Sequence, residues 1–182
     1  MQLKSPIIGE TINRFTHIHQ SVEDLVNKVK MLRACGNITA SCFQRCVGFD
    51  ALNALFGITY EMDGKLGTHY HPRFLEYLAL VQEKDLMCAG AMTDPKGNRH
   101  LPPSQQKDPD LYLHLVEKRE DGIVVRGAKA HQTGAVNSHE IIVMPTVAME
   151  AADEAYALAF AIPADAPGLL YIFGRQTNDS RK

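Results

Sequence analysis

The sequence lacks tryptophan, and no apolar run approaches the roughly 20 residues that a membrane-spanning helix needs. It also lacks a basic stripe, since 19 Lys and Arg residues are interspersed with 21 Asp and Glu residues, for a net charge of −2. The first ten residues contain no apolar core of a signal peptide. These absences predict a cytoplasmic protein that binds neither membranes nor nucleic acid.

Cysteine is scarce, with four residues in 182: Cys35, Cys42, Cys46 and Cys88. In a reducing compartment they are not expected to form structural disulfides, which leaves buried thiols, metal ligands or nucleophiles. The composition, 45% hydrophobic and 22% charged, is that of a globular chain able to form a core.

The first half of the chain has helical periodicity. Ser21, followed by two acidic residues, predicts a helix start, and Gly36-Asn37 predicts its end. The apolar residues at helical spacing in this segment are Val22, Leu25, Val26, Val29 and Leu32.

Two further helices are predicted before residue 88. One starts near Thr39 or Ser41 and ends before Asp63-Gly64, and the next runs from about Pro72 to Lys84. Their apolar faces contain Val47, Ala51, Leu52, Leu55 and Phe56 in the first, and Phe74, Leu75, Leu78 and Val81 in the second.

The second half has the patterns of loops and strands. A long loop is predicted for 89–109, and Glu120-Asp121-Gly122 is a hairpin signal. Short strands are predicted for 111–118, 123–126, 140–144, 156–162 and 169–173, with a helical turn near 148–155. The chain is therefore predicted to be α+β, with a helical domain at 1–88 and an antiparallel sheet or barrel at 89–182.

The sharpest local feature is the pair Cys42 and Cys46. At a spacing of four residues on a helix, their Cβ atoms would lie roughly 5–6 Å apart. That separation suits two corners of an iron–sulfur cluster better than one zinc ion, because zinc patterns place two cysteines closer on a loop. The alternative is two buried thiols in a helical core. Cys35 and Cys88 are interpreted as small buried hydrophobic residues.

Two polar segments of the second half could hold a cofactor. Met92–Arg99 combines hydroxyl, carboxylate, amide and cationic groups, which could wrap a flavin or bind a pyrophosphate, although Asp-Pro-Lys-Gly is also a common turn. His131 and Thr133, two apart on an extended segment, would face the same side and could bond the polar edge of a ring. The alternative is a solvated strand end.

The remaining histidine patterns are given structural interpretations. His17 and His19, like His69 and His71, form His-x-His pairs, but no third metal ligand is indicated near either pair. Ser138-His139-Glu140 is not expected to be a catalytic triad, because adjacent residues cannot adopt that geometry.

Taken in order, five motifs resemble the 4-hydroxybutyryl-CoA dehydratase family, within the superfamily of the flavin-dependent 4-hydroxyphenylacetate 3-monooxygenases. They are 16–20 (THIHQ), 42–46 (CFQRC), 90–97 (GAMTDPKG), 103–109 (PSQQKDP) and 126–134 (RGAKAHQTG). The resemblance implies an acyl-CoA-dehydrogenase-like fold, with a helical domain, then a β-barrel, then a C-terminal helical bundle that this chain lacks.

The resemblance also implies roles for individual residues. Cys42 and Cys46 would be two ligands of a [4Fe-4S] cluster, and the other two, a His and a Cys, would lie in the C-terminal bundle. Thr133, Gln44 and Arg33 would be catalytic, although a regular helix would point Gln44 about 200° away from Cys42. The FAD-binding residues would be Met92, Thr93, Asp94, Pro95, Lys96, Gly97, Asn98, Arg99, His131, Gln132 and Thr133.

The implied reaction converts 4-hydroxybutyryl-CoA to crotonyl-CoA by a radical route, with vinylacetyl-CoA isomerase activity. The implied partners are an acyl-CoA substrate and further copies of the protein in a homotetramer. Two alternatives remain open: a flavin-dependent aromatic hydroxylase, which would give the two cysteines no function, and an inactive fragment, since this chain alone carries part of the active site.

Overall fold

The computed structural model describes residues 2–40, 46–175 and 180–181, without the side chain of Cys46. Three α-helices and seven short strands are defined. The helices are α1 (Val22–Thr39), α2 (Cys46–Leu66) and α3 (Tyr70–Glu83). The strands are β1 (Gln2–Lys4), β2 (Thr11–Asn13), β3 (Cys88–Ala91), β4 (His114–Arg119), β5 (Gly122–Arg126), β6 (Glu140–Val143) and β7 (Phe160–Pro163). The α+β class is confirmed.

Helix α1 begins where the sequence predicts and ends later. The Ser21 side chain accepts a hydrogen bond from the Asp24 amide, which is the expected N-cap. The predicted end at Gly36-Asn37 is wrong, because the helix continues to Thr39 and ends at Ala40, whose φ is +53°. A start of the second helix near Thr39 is therefore also wrong, and the alternative at Ser41 lies outside the described residues.

Helix α2 passes through the predicted stop at Asp63-Gly64 and ends at Leu66, before Gly67 at φ +66°. The Asp63 carboxylate instead binds the start of the next helix, accepting hydrogen bonds from the amides of Tyr70 and His71, each at 2.8 Å. Helix α3 is confirmed to within two residues at each end. Its stripe is buried at Phe74, Leu78 and Val81.

The strands form three small sheets instead of one closed barrel within the part of the chain that the structure describes. β3, β6 and β7 form the central sheet, whereas β1 pairs with β2 and β4 with β5. The β4–β5 hairpin is confirmed, with Arg119 opposite Gly122. β3 was predicted as loop, and it pairs in parallel with β6, so the prediction of a wholly antiparallel sheet is wrong.

The predictions for the end of the chain are partly confirmed. The helical turn predicted near 148–155 is confirmed as a 3-10 helix at Ala151–Tyr156, and the strand that follows is shortened to β7. The strand predicted at 169–173 is wrong, because those residues have no regular secondary structure. Leu170, Ile172 and Phe173 are exposed instead of paired.

The central sheet is buried on both faces. Ile142 and Cys88 pack on one face with Leu52, Leu78 and Val81 of the helices. Ile141, Val143 and Ala91 pack on the other face, in a second cluster with Ala135, against which Phe160 and Ile162 also pack. The alternation along β6 follows the two-residue period of a strand. This sheet fixes the position of the two segments that follow β3 and precede β6.

Candidate functional site

A buried ion pair lies at the carboxyl ends of the parallel strands β3 and β6. Lys129 Nζ is 2.5 Å from Asp94 Oδ1, and it also donates to the carbonyls of Met92 at 3.2 Å and Met144 at 3.0 Å. Thr146 Oγ1 donates to the other oxygen of Asp94 at 3.3 Å. The exposed fractions of the Lys129 and Asp94 side chains are 12% and 6%. Sequence reasoning gave Lys129 no separate role.

The ion pair joins the two segments that the sequence suggested for a cofactor. Next to it, the Ala130 amide donates to the Thr93 carbonyl at 2.8 Å. His131 follows with a φ of +60°, a left-handed conformation that is uncommon for a residue with a side chain. Met92–Arg99 and His131–Thr133 are therefore neighbours, as their common assignment to one site requires.

The distal part of the loop is braced by Gln106. Its Oε1 accepts from the Asn98 amide, and its Nε2 donates to the carbonyls of Asn98 at 3.0 Å and Leu101 at 2.9 Å. Gly97 has a φ of +41°, and a Cβ there would lie 2.4 Å from Gln106 Oε1. The positive φ favours glycine at this position, and any larger residue would also displace the Gln106 side chain.

The loop is fixed at a second point by Asp153, which is fully buried. Its carboxylate accepts from the Ser104 amide at 2.9 Å and from the Glu150 amide at 3.1 Å. The Ser104 hydroxyl, followed by the Glu150 and Ser104 amides, lowers the pKa of Asp153 below its ordinary value. The loop that follows β3 is thus ordered by long-range side-chain contacts.

The exposed side chains of this region include the kinds of chemical group that could contact a flavin. Met92 is 37% exposed and apolar, and His131 and Thr133 present polar groups to solvent. Lys96 and Arg99 are exposed as well, and within the described residues neither forms an ion pair. An apolar surface beside hydroxyl, imidazole and cationic groups suits a ring with a polar edge and a diphosphate.

The first turn of α2 packs against β3, the strand that precedes the candidate cofactor loop. Val47, the residue after Cys46, packs so closely on Gly90 of β3 that a Cβ there would lie 2.3 Å from Val47 Cγ1. A Cβ on Gly48 would lie 1.8 Å from the Cys88 carbonyl oxygen. Cys42, Gln44 and the side chain of Cys46 lie outside the described residues. Val47, near the start of α2, contacts Gly90, which precedes Met92 by two residues along the chain.

Three other predicted or candidate residues lie on α1 and at the start of β3. Arg33 is exposed on α1, and the described part of the chain gives it no hydrogen bond or ion pair. Cys35 is half-buried and packs beside Phe15, Met31 and Phe49. Cys88 is buried with its Sγ 3.7 Å from the Tyr77 hydroxyl, and burial, followed by the Cys88 thiol, raises the pKa of Tyr77.

The His-x-His pairs lie beside acidic, hydroxyl and cationic side chains. His17 is buried with its Nε2 3.3 Å from Asp24 Oδ2, and the Gln20 amide is the main cause of a lowered Asp24 pKa. Burial, and then the Lys28 ammonium, lowers the pKa of His19. In the second pair, His71 Nδ1 lies 3.0 Å from the Thr59 hydroxyl. Among the described residues no three His, Cys, Asp or Glu side chains form a metal-binding group.

Ser138-His139-Glu140 borders an open cleft of about 450 Å³ beside β6 and β7. The Ser138 hydroxyl donates to the Gly134 carbonyl, and His139 Nδ1 accepts from the Met87 amide. These bonds direct the two side chains to backbone groups, so they do not form a nucleophile–base pair. Burial, and then the Asp165 carboxylate, raises the pKa of Glu140.

A helical layer on a small mixed sheet, with a braced loop at the carboxyl ends of its parallel strands, defines the class of domain. A family model described as "4-hydroxyphenylacetate 3-hydroxylase N terminal" matches residues 1–182. The chain therefore belongs to this family.

No helix in the described residues has both the length and the apolar character needed to cross a membrane.

Within the family, the similarity is high to particular dehydratases. The chain is 65% identical over its full length to 4-hydroxybutyryl-CoA dehydratase/vinylacetyl-CoA-Delta-isomerase of Clostridium aminobutyricum, and covers 37% of that protein. It matches an oxygen-tolerant archaeal 4-hydroxybutyryl-CoA dehydratase from N. maritimus with a TM-score of 0.93 and 54% identity, covering 96% of this chain and 35% of the other.

A more distant similarity is to an oxygenase. The oxygenase component of 4-hydroxyphenylacetate 3-monooxygenase, solved in complex with FAD, matches with a TM-score of 0.69 and 27% identity, over 92% of this chain and 34% of the other. The chain thus spans about a third of the length of each of these relatives.

Proposed function

We propose that this chain is part of a 4-hydroxybutyryl-CoA dehydratase that also isomerises vinylacetyl-CoA. The observation that carries the proposal is the 65% identity to such an enzyme over all 182 residues. We include in the proposal an acyl-CoA substrate, a cytoplasmic homotetramer, and an acyl-CoA-dehydrogenase-like arrangement. In that arrangement residues 1–88 form a helical domain and residues 89–182 contribute to a β-barrel completed by the rest of the protein.

FAD would be held by Met92–Arg99 and His131–Thr133. Met92 would cover part of the ring and the Thr133 hydroxyl would bond its polar edge. Lys96 and Arg99 would neutralise the diphosphate, for which exposed cations are suited. Support comes from the exposed, chemically mixed surface at the end of β3 and from the FAD complex of the related oxygenase.

A [4Fe-4S] cluster would take Cys42 and Cys46 as two of its ligands. We propose that the others come from the region that the longer relatives have beyond this chain. When bound, FAD would supply one-electron chemistry and the cluster would supply Lewis acidity. Arg33 and Gln44 would complete the surroundings of the substrate.

The competing function is that of a flavin-dependent aromatic hydroxylase, and its support is the more distant similarity to the FAD-bound oxygenase, with a TM-score of 0.69. That chemistry uses flavin and oxygen and gives the thiols of Cys42 and Cys46 no function. The higher identity to the dehydratase is the reason for preferring the first proposal.

The test is made on the full-length protein, purified without oxygen, with the variant Cys42→Ser/Cys46→Ser and the matched control Cys35→Ser. We expect iron and FAD in the wild type and the control, and dehydration of 4-hydroxybutyryl-CoA by both. The double variant should lose iron and activity while it keeps FAD. A wild type that contains FAD but no iron, and that hydroxylates 4-hydroxyphenylacetate when given reduced flavin and oxygen, would establish the alternative.

A further inference from the structure

The Lys129 ammonium is fully engaged at the end of the central sheet. Its three protons have three acceptors within hydrogen-bond distance: Asp94 Oδ1 and the carbonyl oxygens of Met92 and Met144. Met92 and Met144 directly follow β3 and β6, and the Met144 amide donates to the Ala91 carbonyl at 3.2 Å. One side chain therefore ties together two parallel strand ends and the loop that leaves one of them.

Stability alone is a poor explanation for a buried ion pair at this position. Removing two charges from water is costly, and apolar residues of similar volume often stabilise a protein equally well. What the pair adds is geometry, because an ammonium with three fixed acceptors allows a single arrangement of the backbone segments around it. The adjacent bond from the Ala130 amide to the Thr93 carbonyl sets the register of the two segments.

The two segments held in this way are those with the exposed groups that fit a flavin. Met92 precedes Asp94 by two residues, and Thr133 follows Lys129 by four, after the left-handed turn at His131. A displacement of the Lys129 side chain would therefore change the distance between Met92 and Thr133. Sites of this kind bind well when supporting contacts hold them in place before the ligand arrives.

We propose that Lys129, paired with Asp94, is a positioning residue that holds Met92–Arg99 against His131–Thr133 in the geometry required to bind FAD. The inference rests on the proposed function, since it takes FAD as the ligand. In this role Lys129 acts through its neighbours, because the three protons of its ammonium have acceptors in Asp94 and the two carbonyl groups.

The first experiment uses the full-length protein and the double variant Asp94→Asn/Lys129→Met, which removes both charges and leaves no unpaired one. Lys129→Arg is the conservative variant, and Lys118→Met, at an exposed position of β4, is the control. FAD dissociation constants are measured by titration, and the visible circular dichroism of bound FAD reports the geometry around the ring.

We expect the double variant to bind FAD about tenfold or more weakly, a loss of the size seen when supporting hydrogen bonds are removed from other sites. Its visible circular dichroism should also change, Lys129→Arg should recover part of both properties, and Lys118→Met should match the wild type. A folded double variant with the affinity and spectrum of the wild type would overturn the inference. A wild type that binds no FAD would instead overturn the proposed function.

A second measurement does not depend on whether the double variant folds. Hydrogen exchange of the Ala130 amide is followed in the FAD-free wild type. Protection before FAD is added is the expected result, because the bond to Thr93 is held by the Lys129–Asp94 pair. Exchange at the rate of an unstructured peptide, with protection only after FAD binds, would show that the cofactor orders the segments and would contradict the role of Lys129.

Discussion

Asp153 shows at the scale of a single residue how the loop after β3 is held. The carboxylate accepts from amides of both the loop and the 3-10 helix at Ala151–Tyr156, and its pKa is lowered chiefly by the Ser104 hydroxyl. Because the folded pKa lies below the ordinary value of 3.8, the stabilisation is fully present above about pH 3.8. It is lost as the pH falls through the folded pKa.

We therefore predict that Asp153→Asn lowers the melting temperature at neutral pH, since the new amide nitrogen cannot accept and leaves one backbone N–H without its partner. The deficit relative to the wild type should shrink as the pH falls below about 3.8. Thermal melts of both proteins between pH 2 and 7 measure this, with Asp121→Asn in the exposed hairpin turn as control. A deficit that stays constant over the whole pH range would contradict the assigned role.

The contacts of single residues were predictable where they are local. Ser21 was predicted to start α1 because its partner, the Asp24 amide, is three residues away. Asp94 and Lys129 are 35 residues apart, and Asp153 and Ser104 are 49 apart, so no spacing rule indicates either pair. The sequence thus indicated the two cofactor segments by composition, whereas the side chains that join them depend on the tertiary fold.

At the scale of elements, the packing of α2 on β3 depends on two glycines. Gly48 lies against the Cys88 carbonyl and Gly90 lies against Val47, so the helix approaches the strand closely. Gly57 is on the same helix, but a Cβ there would meet nothing within 4 Å. Gly48 and Gly57 of α2 therefore form a matched pair, because packing requires the first glycine and leaves the second free to change.

We predict opposite effects of alanine at these two positions. Gly48→Ala should destabilise the fold by about 1–3 kcal/mol or more, because a Cβ 1.8 Å from a backbone oxygen forces the helix and strand apart. Gly57→Ala should stabilise it by roughly 0.5–1 kcal/mol through helix propensity. Urea denaturation of the two variants and the wild type gives both values. Equal effects of the same sign would show that α2 does not pack on β3 in this way.

Element boundaries were the least predictable part of the fold. Gly36 and Gly64 lie inside helices, because an interior glycine costs about 1 kcal/mol and the surrounding residues outweigh it. β3 was missed because Cys88–Ala91 contains no β-branched residue, and its strand character depends on β6, about 50 residues later. The apolar strand β6 was predictable, because burial on both faces selects a continuous run such as Ile141, Ile142 and Val143.

At the scale of the whole molecule, helix α1 carries an apolar stripe that the described residues leave exposed. Val22, Leu25, Val26 and Val29 recur at helical spacing, and their exposed fractions are 79%, 47%, 44% and 41%. Periodicity predicted the helix and its apolar stripe, but the residues that α1 buries are Lys28 and Met31. It did not predict that the face lies open, since a sequence pattern indicates which residues prefer burial without indicating what buries them.

We predict that the isolated chain of 182 residues self-associates through this stripe, because contiguous exposed apolar surface of this kind promotes association in water. Sedimentation velocity should show a weight-average mass that increases with protein concentration above the 20.2 kDa of one chain. Leu25→Gln/Val29→Gln should reduce that increase. The control Val116→Gln/Ile123→Gln, at exposed apolar positions of the β4–β5 hairpin, should leave it unchanged. Equal association of both double variants would show that the stripe is not the contact surface, and a single species of 20.2 kDa at all concentrations would refute the prediction as a whole.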